Sequence, residues 1–314
     1  MAAALARRPA ANENPRRQNA GKRTAEGTEF VRVDHDWKQW IGRTQTATDW
    51  IAPSRVAAWH ATLDHSAESP EEGDLAPLGI HWTLAPHVAR ESELGPDGHA
   101  KRGGFLPPVA LPRRLWAGSR VSFRRPLHVG ERVERLSTIQ SVEDKKGRES
   151  PLVFVTVRHR FSTDAGLAIE EEQDLVYREP RAPGAPAAAR DETDVEGAWR
   201  HTVRPTETLL FRYSALTFNT HRIHYDRRYA TDVEGYAGLV VHGPLIATLL
   251  LDLLQVHVPA DRIERFQFKA LRPTFDTSDF MVYGAPAADE GQFTLWSTDN
   301  DGVRAVDAAA WASR

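Results

Sequence analysis

Asn219, His221 and His224 stand within six residues of one another, and His242-Gly243-Pro244 follows about twenty residues later at the head of an apolar run. An imidazole titrates near neutrality, so His224 is a candidate base. Asn219 takes no proton at ordinary pH, but its amide can orient a water molecule or an imidazole. Gly243 has no Cβ to hold an oxygen away from its N–H, and Pro244 suits the first turn of a helix whose positive end points outward. A proton acceptor beside a bare helix N-terminus is a kit for chemistry next to a carbonyl. The acceptor moves the proton, and the helix end holds the oxygen that becomes negative.

Other polar signals read more plainly. His128 and His159 lie in strand-like stretches and read as structural. His221 either braces its loop or touches a ligand. His221, His224 and Asp226 lack the flanking pattern of a zinc site, so no metal is expected. Gly103-Gly104 has neither phosphate-loop signature around it. Lys145-Lys146 reads as a solvated hairpin tip, and Leu249–Leu254 as core.

The elements that must position the kit follow from hydrophobic period. The spacing predicts a helix over Arg55–Leu63 and a short apolar element at Ile80–Leu84, set in long loops over 66–104. Strands are expected near Arg120–Arg124, Glu131–Val142, Leu152–Phe161 and Leu167–Tyr177. In the third of these, Val153, Val155, Val157, His159 and Phe161 share one face. Beyond a Pro/Ala/Gly stretch, a strand is expected over Trp199–Leu210 and a helix over Pro244–Val256. Further strands are expected near Arg262–Leu271, Phe280–Ala285, Phe293–Ser297 and Val303–Ala308. A long central helix with a curved antiparallel sheet is a hotdog arrangement. The expected class is therefore α+β, a double hotdog with two curved antiparallel sheets, each wrapped around a central helix. The organisation reads as a disordered arm (1–30), a first hotdog domain (31–179), a linker (180–195) and a catalytic second hotdog domain (196–314).

Composition narrows the function. The chain has 314 residues, a formal net charge of −3 and 41% hydrophobic residues. Such a balance offers no global field for nucleic acid or membrane. The absence of cysteine excludes disulfides, thiolate metal sites and a cysteine nucleophile, and it fits a reducing, cytoplasmic setting. Leu245–Leu254 is too short to span a bilayer.

Thr217-Phe218-Asn219-Thr220-His221-Arg222-Ile223-His224-Tyr225-Asp226 resembles the hydratase-2 motif of MaoC-like (R)-specific enoyl-CoA hydratases. The family His falls on His224. Asn219 replaces the usual catalytic Asp, His221 the Asn and Arg222 the Pro. These departures are similar to the subgroup of 3-hydroxyacyl-thioester dehydratases and mesaconyl-C4-CoA (3-methylfumaryl-CoA) hydratases. WKQWIGR, RGGFLPPVALPRRLWAGSRVSF, LVFVTVRHRF and EEEQDLVYRE resemble its N-terminal domain. The resemblance implies reversible hydration of a short branched or dicarboxylic enoyl-CoA, with mesaconyl-C4-CoA to citramalyl-CoA as the leading example. It implies no cofactor beyond the thioester substrate, a catalytic set of His224, Asn219 and Gly243, and an N-terminal half that serves as a tunnel wall. It admits a homodimer. A free carboxylate on the substrate calls for a guanidinium. Arg222 is the first choice, with Arg113, Arg114 and Arg272 as alternatives. His221, His242 and Pro244 are expected at the substrate. Competing readings are a dehydratase of fatty-acid synthesis, a hotdog thioesterase and a non-catalytic acyl-CoA-binding subunit.

Overall fold

A computed structural model describes residues 36–65, 69–147, 150–180 and 197–313. The expected arm, and all of the expected linker beyond Pro180, lie outside the described residues. Alternating strands dominate both halves. In the first they are β1 (Thr44–Trp50), β2 (Arg113–Phe123), β3 (Arg132–Lys146), β4 (Pro151–Thr163) and β5 (Gly166–Arg178). In the second they are β6 (Trp199–Val203), β7 (Ile263–Ala270), β8 (Phe280–Pro286), β9 (Gln292–Thr298) and β10 (Arg304–Ala312). All neighbours pair antiparallel, in the order β1-β3-β4-β5-β2-β7-β10-β9-β8-β6. The double hotdog is thus one continuous ten-stranded sheet and not two separate ones. Its halves are stitched edge to edge where β2 pairs with β7.

The second half wraps helix α3 (Gly243–Gln255), with Pro244 in its first turn. Its leucines are good helix formers, and Leu245, Leu250, Leu251 and Leu254 are fully buried against β-strand residues such as Phe280, Val282 and Leu295. Burying each such side chain contributes about 1.5–3 kcal/mol. The preceding stretch corrects the expected strand over Trp199–Leu210. The strand stops at Val203, and α2 (Glu207–Thr217) begins instead. Thr206 is its N-cap, and its side-chain oxygen accepts from the Leu209 N–H.

The first half is built differently. Its helix α1 (Pro53–Thr62) is shorter than α3 and buries Val56, Trp59 and Thr62. Val56 and Trp59 join a core with Val133, Phe161 and Ile169. A second apolar patch gathers Val109, Ile139, Val155, Val157, Leu175 and Tyr177. Between the two patches the inner face is polar. Ser137, His159 and Glu171 pair across β3, β4 and β5, with Gln173 next along β5.

The seam has one place where only glycine fits. Gly118 lies opposite Lys269, and a Cβ there would stand 2.3 Å from the Phe268 carbonyl oxygen. Backbone cannot retreat as a flexible side chain can. Gly118→Ala is therefore expected to destabilise the protein by about 1–3 kcal/mol, read as a lower midpoint in urea unfolding. An unchanged midpoint would show that β2 and β7 are not held this closely.

Candidate active site

Helix α2 ends abruptly. Phe218 takes φ 52 and ψ 34, a left-handed conformation that costs a non-glycine residue about 1 kcal/mol. The chain turns there, and Asn219 follows with its N–H on the Ser214 carbonyl at 2.8 Å. Asn219 Oδ1 accepts the His221 N–H at 3.0 Å, which leaves the Asn219 amide hydrogens for other partners. A short 3-10 turn over Arg222–His224 then presents His224.

Two hydrogen bonds at Val240 tie His224 to the helix N-terminus. Its Nδ1–H donates to the Val240 carbonyl at 2.7 Å, and the Val240 N–H donates to the Ile223 carbonyl at 3.0 Å. A carbonyl only accepts, so Nδ1 carries the proton and Nε2 is left as the bare acceptor. Val240 leads through Val241 and His242 into α3. The N–H of Gly243, in the first turn, has no carbonyl four residues back to receive it. His224, Asn219, His221, Gly243 and Pro244 all line one cavity of about 1240 Å³.

His242 and Arg222 depart from expectation. His242 is wholly buried and lies outside the cavity lining. It stacks on His224 with ring centroids 3.7 Å apart, and its Nε2 meets Ser214 Oγ at 2.8 Å. It supports the base rather than touching a ligand. Arg222 is likewise absent from the lining. Its Nη2 is 2.7 Å from Asp226 Oδ2, and Nη1 donates to the Pro96 carbonyl at 2.9 Å. An acid four residues along the chain claims this guanidinium, so it locks a loop and holds no substrate carboxylate.

That loop brings in residues the sequence reading missed. Asp97 and His99 sit in the turn Gly95-Pro96-Asp97-Gly98-His99, docked on residues 220–222 through Thr220 Oγ1 to the Gly98 carbonyl at 2.5 Å and Arg222 N–H to the Asp97 carbonyl at 2.9 Å. Gly98 has φ +87, and a Cβ there would meet the Thr220 oxygen at 1.9 Å, so glycine is required at the contact. His99 lines the cavity, with its ring centroid 4.0 Å from that of His221 and its Nδ1 3.0 Å from Asp97 Oδ2. The first half thus contributes an Asp–His pair to the site as well as a wall. The Gly-Pro-Asp-Gly turn before His99 was the available signal.

Asp97, His99 and His221 bring their ligand atoms within 4.8 Å of one another, close enough for a metal ion. The charge nearby opposes one. Arg114 acts electrostatically on all three side chains, and a guanidinium repels a dication. Asp97 is also committed, accepting from the His99 N–H and facing its ring. The set His221, His224 and Asp226 does not assemble, because Asp226 is held by Arg222 and the Tyr229 N–H.

Burial keeps the imidazoles neutral. It pushes His224 and His99 down to about 4, and it holds His221 and His242 well below the ordinary value too. Deeper in the cavity, desolvation lowers His81 to about 3 and His159 to about 4, and it raises Glu171 to about 7. Glu171 accepts from the Trp82 indole at 3.1 Å.

Comparison with known proteins bears on this geometry. Residues 79–276 match the family model described as hydroxyacyl-thioester dehydratase type 2. The chain is 43% identical over 273 residues to mesaconyl-C(4)-CoA hydratase of Chloroflexus aurantiacus, covering 87% of this chain and 96% of that protein. It is 31% identical over 222 residues to mitochondrial hydroxyacyl-thioester dehydratase type 2 of Schizosaccharomyces pombe, covering 63% of this chain and 73% of that protein. A solved MaoC-like dehydratase shares the fold with a TM-score of 0.66 at 15% identity, over 88% of this chain and 99% of that one.

Two predictions follow from the neutral, open site. The unfolded chain protonates each imidazole near 6.5, whereas folded His81, His159 and His224 resist until about 3 to 4. The unfolded state therefore binds more protons between those values, and stability falls as pH drops through that window. Each shift is worth a few kcal/mol. Glu171 runs the other way, losing its contribution as pH rises from 4.5 to about 7. We expect kcat/KM to be flat from about pH 8 to 6 and then to fall together with the near-UV circular dichroism. A one-proton limb at 6–7 that persists in Glu171→Gln with the fold intact would contradict a neutral buried His224. Gly243→Ala adds a methyl whose only neighbour within 4 Å is the Trp116 carbonyl oxygen at 3.8 Å. We expect the melting temperature to hold and kcat/KM to fall at least about 10-fold, since the methyl crowds the proposed oxyanion donor.

Proposed function

The chain belongs to the hydroxyacyl-thioester dehydratase type 2 family, and we propose that it reversibly hydrates a short branched or dicarboxylic enoyl-CoA. Mesaconyl-C4-CoA, giving citramalyl-CoA, is the substrate we assign first. The observation that carries the reading is the convergence of a neutral His224 and a free Gly243 N–H on one cavity. The extent of similarity to a named mesaconyl-C(4)-CoA hydratase supports the substrate. So does the polar wall of Ser137, His159, Glu171 and Gln173, which a long alkyl chain would desolvate without replacing its hydrogen bonds.

The proposed chemistry uses the residues as they stand. His224 Nε2 takes a proton from water held by the Asn219 amide. The water oxygen bonds to the β-carbon, and the π electrons move onto the thioester oxygen. That oxygen, now an enolate, accepts from the Gly243 N–H at the positive end of α3. The imidazolium returns its proton to the α-carbon, which restores the carbonyl and the neutral base. Dehydration is the same path reversed. The water supplies one hydroxyl and one hydrogen, and no redox group takes part.

The second reading, a dehydratase of saturated 3-hydroxyacyl chains, rests on the similarity to the yeast mitochondrial protein. Enoyl absorbance with mesaconyl-C4-CoA and with plain enoyl-CoAs of increasing length separates the two. Release of free thiol would point to a thioesterase, and tight binding without turnover to a non-catalytic subunit. In the same assay His224→Ala is expected to lower kcat at least about 100-fold, with near-UV circular dichroism unchanged. Near-normal turnover by that variant removes His224 from the mechanism.

A further inference from the structure

We propose that Arg114 is the binding site for a carboxylate carried on the β-carbon of the acyl group, and that it sets the charge specificity of the cavity. The assignment rests on the hydratase reading above and names the partner which that reading requires. Mesaconate is methylfumarate, so its C4 thioester keeps a free carboxylate one bond beyond the carbon that water attacks.

Placement comes first. The Trp116 carbonyl adjoins Gly243, the proposed anchor of the thioester oxygen. Arg114 is two residues earlier on β2, so it shares the face of Trp116 and stands roughly 7 Å along the strand. Their partners on β5, Tyr177 and Leu175, are both core residues. In a conjugated four-carbon acyl group the carboxylate carbon is about 4 Å from the thioester carbon by ordinary bond lengths. A guanidinium on its long side chain covers that difference. Arg114 lines the cavity and acts electrostatically on His99 and His221, at the reacting end.

Availability comes second. The other arginines considered for this task are committed. Arg113 pairs with Glu234, Arg222 with Asp226 and Arg272 with Asp299. Among the described residues, no carboxylate lies within 4.0 Å of Arg114, whose neighbour is the neutral Tyr177 phenol. The nearby acid that affects it, Asp97, is bound to His99. Asp97 spends both oxygens on His99, so Arg114 keeps no direct carboxylate partner among the described residues.

Arg102 and Arg135 also line the cavity without a salt bridge among the described residues. Arg102 spends its guanidinium on the Val109, Leu111 and Pro112 carbonyls. Arg135 acts on His159 and Glu171 and shares an effect on His87 with Arg114, but of Arg114 and Arg135 only Arg114 acts on His99 and His221, at the reacting end.

The experiment measures kcat/KM for mesaconyl-C4-CoA and for uncharged crotonyl-CoA in wild type, Arg114→Gln, Arg114→Lys and Arg135→Gln. In Arg114→Gln the ratio of the two is expected to fall at least about 100-fold, and Arg114→Lys to recover part of it. Arg135→Gln is expected to leave the ratio within about 3-fold. An equal loss on both substrates in Arg114→Gln overturns the assignment, as does an unchanged ratio or a loss carried by Arg135→Gln. A misfolded Arg114→Gln shows as lost near-UV circular dichroism, and the ratio is then read from Arg114→Lys. Failure of the hydratase reading looks different: the wild type itself hydrates neither substrate, or prefers crotonyl-CoA.

Discussion

The hydrogen bond from His224 Nδ1 to the Val240 carbonyl joins the two reacting ends of the site. It selects the tautomer that leaves Nε2 bare. It also fixes the imidazole to the segment that becomes helix α3, so base and helix N-terminus are tied to one stretch of chain. The return bond from the Val240 N–H to Ile223, and the bridge from Val240 to Phe275, hold that segment between the 3-10 turn and the loop joining β7 to β8. His242 stacks behind the imidazole, and Ser214 of α2 holds His242 in turn. Every element around the base therefore acts on its orientation, and orientation is what a single proton transfer demands.

Neutrality is the second constraint. Packing several imidazoles together is tolerable only if none carries a charge, and burial enforces that here. Neutral rings leave Arg114 and Asp97 as opposite charges beside His99. Asp97, His99 and His221 stand close enough for a metal ion, and the nearby guanidinium weighs against one.

Parts of this were legible in the sequence and parts were not. Strand periodicity over Leu152–Phe161 and the apolar run after Pro244 located the sheet and α3, because each has a period set by its own backbone. The spacing of Asn219, His224 and Gly243 was readable because all three sit on one continuous segment of about 25 residues. Helix α2 was misread as strand: its start depends on one side-chain cap, Thr206, and the apolar residues that follow fit either period. Arg222 was misassigned because its neighbour Asp226 competes for the same guanidinium at helical spacing. Asp97 and His99 left no periodic trace. They lie in a loop more than a hundred residues from the segment they serve, and the contacts of Thr220 and Arg222 with that loop bring them together.

Those contacts also bear on why the two halves are one chain. Asn219, which stands where the resemblance expects a catalytic Asp, is occupied through Oδ1 in holding the His221 N–H. The carboxylate nearest the cavity histidines is Asp97, and it comes from the other half. A second half with Asn219 in place of an acid depends on the first for charge and for the shape of the loop. The halves also meet at the β2–β7 seam, where Gly118 lets the strand approach the Phe268 carbonyl. Two glycines in the first half, neither beside the proposed base, thus permit the close backbone contacts between the half that carries Asp97 and the half that carries His224.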